Sequence, residues 1–271
     1  MDILITAFVV AAIGLICAIM LVLASKFFAV PENKKFTDIR ECLPGANCGA
    51  CGYAGCDGYA KALCDDESVR TNLCTPGGGA AAAQIASILG KEAEDVVEKI
   101  AVIHCYGDCT HTENKMDYFG IKSCRAAKTM YGGEKKCSFG CMGFGDCASV
   151  CPQKAICLKN GIAHVNTRQC IGCGICVNSC PQALISLISD EETMIVTCNN
   201  REKGAVARSK CSNACIGCKK CEKSCPAGAI SVVDNLATID YSLCTKCGLC
   251  AESCPVGCIL ISDFNGIHKA K

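Results

Sequence analysis

Cysteine carries the chemistry of this sequence. Cys170, Cys173, Cys176 and Cys180 form a C-x2-C-x2-C-x3-C run that ends on Pro181; Cys244, Cys247, Cys250 and Cys254 repeat it ahead of Pro255. Three thiolates at two-residue gaps can wrap three irons of a four-iron cubane from one tight loop. The proline then turns the chain and aims the fourth thiol at a neighbouring cluster. Gly172, Gly174 and Gly248 let backbone amides approach the sulfurs. Zinc closes at four ligands from two C-x2-C pairs. A zinc scaffold leaves the third cysteine and the Cys-Pro corner unexplained.

The pattern is written twice. Cys137, Cys141, Cys147, Cys151, Cys170, Cys173, Cys176 and Cys180 recur 74 residues later as Cys211, Cys215, Cys221, Cys225, Cys244, Cys247, Cys250 and Cys254. Cys124 and Cys198 share that offset. Nine cysteines in one register read as two copies of one module. Crossed ligation of the ferredoxin kind predicts the sites. In the first copy, Cys137, Cys141, Cys147 and Cys180 hold one cluster, and Cys151, Cys170, Cys173 and Cys176 the other. In the second, Cys225, Cys244, Cys247 and Cys250 hold one cluster, and Cys215, Cys218, Cys221 and Cys254 its partner. The repeat places Phe144 opposite Cys218 and offers Cys211 as the ligand instead; Cys218 is preferred because it completes a C-x2-C-x2-C run.

An earlier site differs. Cys48, Cys51 and Cys56 lie in a glycine-rich loop, and Cys74 precedes Thr75-Pro76-Gly77-Gly78. These four thiols are expected to hold another four-iron cluster, with Cys42 and Cys64 as substitutes. Gly77-Gly78-Gly79 lacks the Lys-Ser/Thr of a phosphate loop and reads as a lead-in to a helix over 80–89. Cys105, Cys109 and Cys124 form a further group. They belong to a sixth cluster if the fold brings Cys198 or Cys211 near, and are spare buried thiols otherwise. Cys157 and Cys258 follow Cys-Pro corners and are expected to line cluster pockets.

Short elements must position these loops. Residues 162–165 and 236–239 read as strands ahead of the cysteine loops, and 183–187 and 229–233 as strands after the Cys-Pro corners. A helix is expected near 57–63, and 91–100 reads as a charged, exposed helix. Ile3 to Ala24 holds no charged residue, about 33 Å of helix, enough for a bilayer core. Lys26, Lys34, Lys35 and Arg40 follow it, which places the C-terminal bulk in the cytoplasm. Cys17 then faces lipid. The expected fold class is α+β: a single N-terminal transmembrane helix (1–26), a small, mainly helical 4Fe-4S domain (31–92), a connecting segment (93–126), and two tandem ferredoxin-like two-cluster modules (127–190 and 191–264).

Thirty cysteines in 271 residues exceed what an ordinary globular composition carries. In a reducing cytoplasm, that many thiols are an oxidation hazard unless metal occupies most of them. The formal net charge is +1, which argues against nucleic acid as a partner held by global charge. Each bound cluster adds about −2, so the loaded chain is acidic. Two basic stretches remain, 201–223 with Lys219 and Lys220, and 115–136. There is no strand-G-x-G-x-x-G-helix unit for a dinucleotide and no nucleophile–base constellation, so catalytic residues are not expected.

The order of these parts is specific. Asn47-Cys48-Gly49-Ala50-Cys51-Gly52-Tyr53-Ala54-Gly55-Cys56, then Cys74-Thr75-Pro76-Gly77-Gly78, then ferredoxin-type cysteines, resembles the B subunit of the Rnf complex in its longer, clostridial-type form. Thr75 departs from the proline frequent there. The resemblance implies an electron-transfer subunit of an ion-translocating ferredoxin:NAD+ oxidoreductase, and the cysteine sets above give it five [4Fe-4S] clusters with room for a sixth. It implies reduced ferredoxin, other membrane subunits and the lipid bilayer as partners, with electrons ending on NAD elsewhere and driving Na+ or H+ export. A polyferredoxin of another membrane complex, such as a hydrogenase or a redox-sensor reducing system, is the alternative.

Overall fold

The computed structural model describes the backbone of residues 2–27, 34–263 and 266–269, and within the first of these the side chains at 5, 7, 8 and 11–26. Helix α1 runs Asp2–Phe27. The expected transmembrane helix is corrected here: among the described residues no helix is long and apolar enough to cross a membrane. The uninterrupted described stretch, 11–26, falls short of the about 20 apolar residues a span needs and ends on Lys26. The start of the expected span lies partly outside the described residues. The remaining architecture is α+β.

Three helices frame the first cysteine loop: α2 (Lys34–Cys42), α3 (Gly55–Asp65) and α4 (Gly78–Leu89). Their apolar faces meet in a core of Ile39, Tyr59, Leu63 and Ile85, into which Cys56 and Cys74 are packed. A 3-10 turn, Thr75–Gly77, starts at the proline and feeds α4. Gly90, at φ 68°, ends α4 in the left-handed conformation that only glycine adopts without strain. The helix expected over 91–100 is therefore absent. Its end instead opens strand β1 (Lys99–Ile103), whose run of Ile100, Val102 and Ile103 suits a buried strand.

Two similar units come next. In the first, α5 (Cys124–Thr129) and α6 (Asp146–Ser149) precede the hairpin β2 (Ile156–Lys159) and β3 (Ile162–Val165); α7 (Ile175–Ser179) and β4 (Ile185–Ser189) come after it. Strand β4 returns antiparallel to β1, with Ile103 opposite Ile185. In the second, β5 (Met194–Val196), α8 (Gly204–Lys210) and α9 (Lys220–Ser224) lead to the hairpin β6 (Ile230–Val233) and β7 (Leu236–Ile239). Then α10 (Leu249–Glu252) and β8 (Ile259–Asp263) close the unit, and β9 (Gly266–Lys269) pairs on the far edge of β8. Strand β5 lies antiparallel to β8, Val196 opposite Ile259.

The strands expected at 162–165 and 236–239 form there. Each unit has a thin core. Ile103, Ile156, Leu184 and Ile185 enclose Cys147 and Cys176 in the first, and Met194, Ile230, Leu236 and Ile259 enclose Cys215, Cys221 and Cys250 in the second. With so few large side chains, metal binding contributes folding energy.

Candidate metal centres

In the helical region, Cys48, Cys51 and Cys56 all face Cys74. Burial first, and then these neighbouring sulfurs, push the Cys74 thiol up. The loop is pinned by Asn47, whose Oδ1 accepts from the Cys56 amide at 2.9 Å while its own backbone stands at φ 47°. Gly77 packs so closely that a Cβ there would lie 2.7 Å from Ala81 Cβ and 3.2 Å from Cys74 Sγ. Cys42 donates instead to the Asp38 carbonyl at 3.2 Å.

In the first unit, Cys151, Cys170, Cys173 and Cys176 line one cavity with about 360 Å3 of empty space. Burial and the three facing thiols push Cys176 up to about 11. Backbone amides aim at these sulfurs: Ala101 N donates to Cys170 Sγ and Ala155 N to Cys151 Sγ, both at 3.3 Å. The second cavity, of about 400 Å3, gathers Cys141, Cys147 and Cys180 with Cys124. Burial pushes Cys147 up to about 12, and Cys141, Cys124 and Cys180 add to it. Cys137, expected in this group, stands elsewhere, beside Cys198 and Cys211.

The reason lies at Phe144. It occupies the place Cys218 has in the second repeat, packs on Tyr118 with ring centres 5.4 Å apart, and sits in one cluster with Cys124 and Met142. With no thiol at that place in the loop, the fourth sulfur lining the cavity is that of Cys124, at the start of α5. Asp146 positions it: its carboxylate accepts from the amides of Cys124 and Arg125, both at 3.0 Å, and from Ser123 Oγ at 2.9 Å. Partial burial opposes ionisation of Asp146, but those donors and the nearby Arg125 charge hold its carboxyl below the usual range. Spacing offered no signal for Asp146, because it works across a gap in the chain.

In the second unit, burial first, and then the nearby Cys215, Cys254 and Cys218 sulfurs, push the Cys221 thiol up to about 11. Burial first, and then the nearby Cys244, Cys225 and Cys247 sulfurs, likewise push Cys250 up to about 11. Cys258, fully buried, stands beside the first of these groups, with its sulfur 3.6 Å from Cys254 Sγ. Its hydrogen bonds pull Cys254 down to about 5 and Cys215 to about 6, against burial. Cys109 and Cys157 are exposed.

Among the described residues, no three or more His, Cys, Asp or Glu side chains converge tightly enough for a single metal ion. In the first unit the thiols instead stand around cavities, with amides directed at sulfur. This donor set fits a thiolate-held cubane, whose sulfurs are negative and accept N–H. An α+β chain that repeats this arrangement is an iron–sulfur electron-transfer protein of ferredoxin type.

Comparison with known proteins agrees. The 4Fe-4S dicluster domain family matches residues 169–230 and 214–258, an Fe-S cluster family 43–76, and the LdpA Fe-S cluster-binding domain 133–191. The B subunit of the proton-translocating ferredoxin:NAD(+) oxidoreductase complex of Clostridium ljungdahlii is 44% identical over 87% of this chain and 84% of its own length. The Na(+)-translocating counterpart of Acetobacterium woodii is 40% identical over 85% and 69%. The B subunit of the ion-translocating oxidoreductase complex of Methanosarcina acetivorans is 39% identical over 88% and 90%. The chain belongs to the family of Rnf-complex B subunits. It is an iron–sulfur electron-transfer subunit of a multi-subunit, membrane-associated oxidoreductase complex, and its cofactors are [4Fe-4S] clusters.

Proposed function

We propose that this subunit accepts electrons from reduced ferredoxin and passes them toward NAD reduction coupled to Na+ or H+ translocation, with the thiol-rich bulk on the cytoplasmic side. Five thiol sets hold its clusters. Cys48, Cys51, Cys56 and Cys74 form one. Cys151, Cys170, Cys173 and Cys176 form the next, near enough for Cys48 to act electrostatically on Cys173. Cys124, Cys141, Cys147 and Cys180 make the third. The last two are Cys215, Cys218, Cys221 and Cys254, and Cys225, Cys244, Cys247 and Cys250. A four-iron cluster bound in such a set supplies one-electron chemistry without making or breaking bonds to substrate. The protein's part is to hold the sulfurs, exclude water and direct amides at them.

One observation carries the ferredoxin reading. Cys218 is exposed, and Lys219, Lys220 and Lys223 are exposed beside it. A cluster sulfur at the surface inside a basic rim suits an acidic protein partner. The other basic stretch is engaged more closely by its own chain: Lys115 donates to the Tyr131 carbonyl, Lys128 to the Pro181 carbonyl, and Lys136 pairs with Glu113, whereas Lys219 lies 3.9 Å from Glu222. Charge reversal at Lys219 and Lys220 is expected to slow ferredoxin-driven reduction about tenfold at low salt and to flatten its salt dependence. Wild-type kinetics at every ionic strength in that variant would refute the docking surface.

A further inference from the structure

Ten of the thirty cysteines lie outside these five sets, and the fold brings four of them together. Cys105, Cys137, Cys198 and Cys211 line one cavity with about 360 Å3 of empty space, the same size as the cavity of Cys151 and its partners. Cys105 and Cys211 are buried. Burial pushes Cys105 up to about 12 and Cys198 up to about 11. Gly107 closes one wall: a Cβ there would lie 3.2 Å from Cys211 Sγ and 3.8 Å from Cys105 Sγ. We infer that Cys105, Cys137, Cys198 and Cys211 hold a further four-iron cluster at the seam between the two repeats.

The seam has an internal symmetry. Cys105 stands two residues past β1 and Cys198 two residues past β5, and these strands hold equivalent places in their units. The His104 amide donates to the Leu184 carbonyl at 2.7 Å, and the Thr197 amide to the Cys258 carbonyl at 2.8 Å. Leu184 and Cys258 are 74 residues apart, the repeat offset. Cys105 Sγ accepts from the Cys141 amide at 3.2 Å, and Cys198 Sγ from the Cys215 amide at 3.3 Å. Cys141 and Cys215 are again repeat equivalents, as are Cys137 and Cys211. Each repeat thus contributes one matched pair of thiols. Each pair is tied by an amide to a cysteine of that repeat's own neighbouring set.

Two further groups call for an anion in this cavity. Lys135 is 7% exposed and lines it, held by the Gly161 carbonyl at 2.7 Å. A cluster of about −2 in this cavity would set an anion beside that side chain. Asn213 also lines the cavity, is 2% exposed, and has both side-chain polar atoms buried without a partner. An amide N–H facing cluster sulfur would satisfy part of that.

The inference rests on the reading that the other five sets carry four-iron clusters, so the test separates the two. The full chain is purified anaerobically and its iron, acid-labile sulfide and zinc are counted. About 24 irons per chain are expected, falling to about 20 in Cys198→Ala and Cys211→Ala and staying near 24 in Cys109→Ala and Cys157→Ala. EPR of the reduced chain should lose about one spin per chain in the first pair alone. A wild-type count of about 20, zinc in place of the missing irons, or unchanged iron in both variants overturns the inference while leaving the five sets standing. The wild-type count decides even where a variant fails to fold. An iron-free wild-type chain overturns both readings.

Discussion

Replacing Cys258 isolates one hydrogen-bond donor beside one thiol set. Its repeat equivalent is Leu184, so the first unit has no thiol there. In the second, Cys258 is 1% exposed and its sulfur lies 3.6 Å from Cys254 Sγ. The Thr197 amide and hydroxyl, at 2.8 and 3.0 Å from the Cys258 carbonyl, hold its backbone in place. A donor to ligand sulfur favours the more negative, reduced form and raises the potential of that centre. Hydrogen bonds to charged groups are worth about 1.5–3 kcal/mol, and a thiol is a weak donor. Taking about 0.5–1 kcal/mol as the difference between the two redox states gives about 20–40 mV, at about 59 mV per tenfold for one electron. Cys258→Ala should therefore shift one centre down by about 20–40 mV, whereas Cys258→Ser, which keeps a donor, should restore it. The assay is an EPR-monitored anaerobic redox titration with iron counted on the same samples. A shift under about 10 mV in Cys258→Ala, or a loss of about four irons, would refute the reasoning, the second by making Cys258 a ligand.

Four other outcomes follow from the thiol sets and their packing. Cys124→Ser should lose about four irons by chemical analysis, and Asp146→Ala should destabilise the same site by about 1–2 kcal/mol, read as faster iron release in chelator. Gly172→Ala should cost about 2–4 kcal/mol in denaturant unfolding, because its Cβ would lie 2.3 Å from the Lys99 carbonyl oxygen. Lys246, its repeat equivalent, adopts φ 59° close to the 63° of Gly172, so the close approach rather than the dihedral demands glycine. Iron loss to a chelator should quicken as pH falls from 8 to 6. Thiols such as Cys147 and Cys176 are held well above the ordinary value of about 8.5, so their release from iron takes up protons throughout that range. A pH-independent rate would count against thiolate ligation.

Local spacing made much of this legible. Cys170, Cys173 and Cys176 fall in one loop, so their convergence needs no knowledge of the tertiary fold. The strands at 162–165 and 236–239 carry their own turn signals at Asn160-Gly161 and Asp234-Asn235. The features that spacing missed depend on long-range packing. The repeat offset aligns Cys198 with Cys124, yet the strands align it with Cys105, because the segment after Cys105 carries extra residues before its unit resumes the repeat. Crossed ligation groups Cys137 with Cys141, Cys147 and Cys180, but the chain turns between Cys137 and Cys141 and sends their side chains into different cavities. The segment before β1 looked helical from its charges, but the left-handed Gly90 stops the helix, and pairing with β4 claims Lys99–Ile103. The first helix formed without meeting the requirements of a membrane span among the described residues.

The most direct test of a thiol-held electron relay is a count of electrons. Stepwise anaerobic titration of the intact chain with reduced ferredoxin, with visible bleaching and EPR spin quantitation at each step, should register about six electrons per chain, one for each four-iron centre. An endpoint below about two electrons, or a chain that stays colourless, would contradict the account.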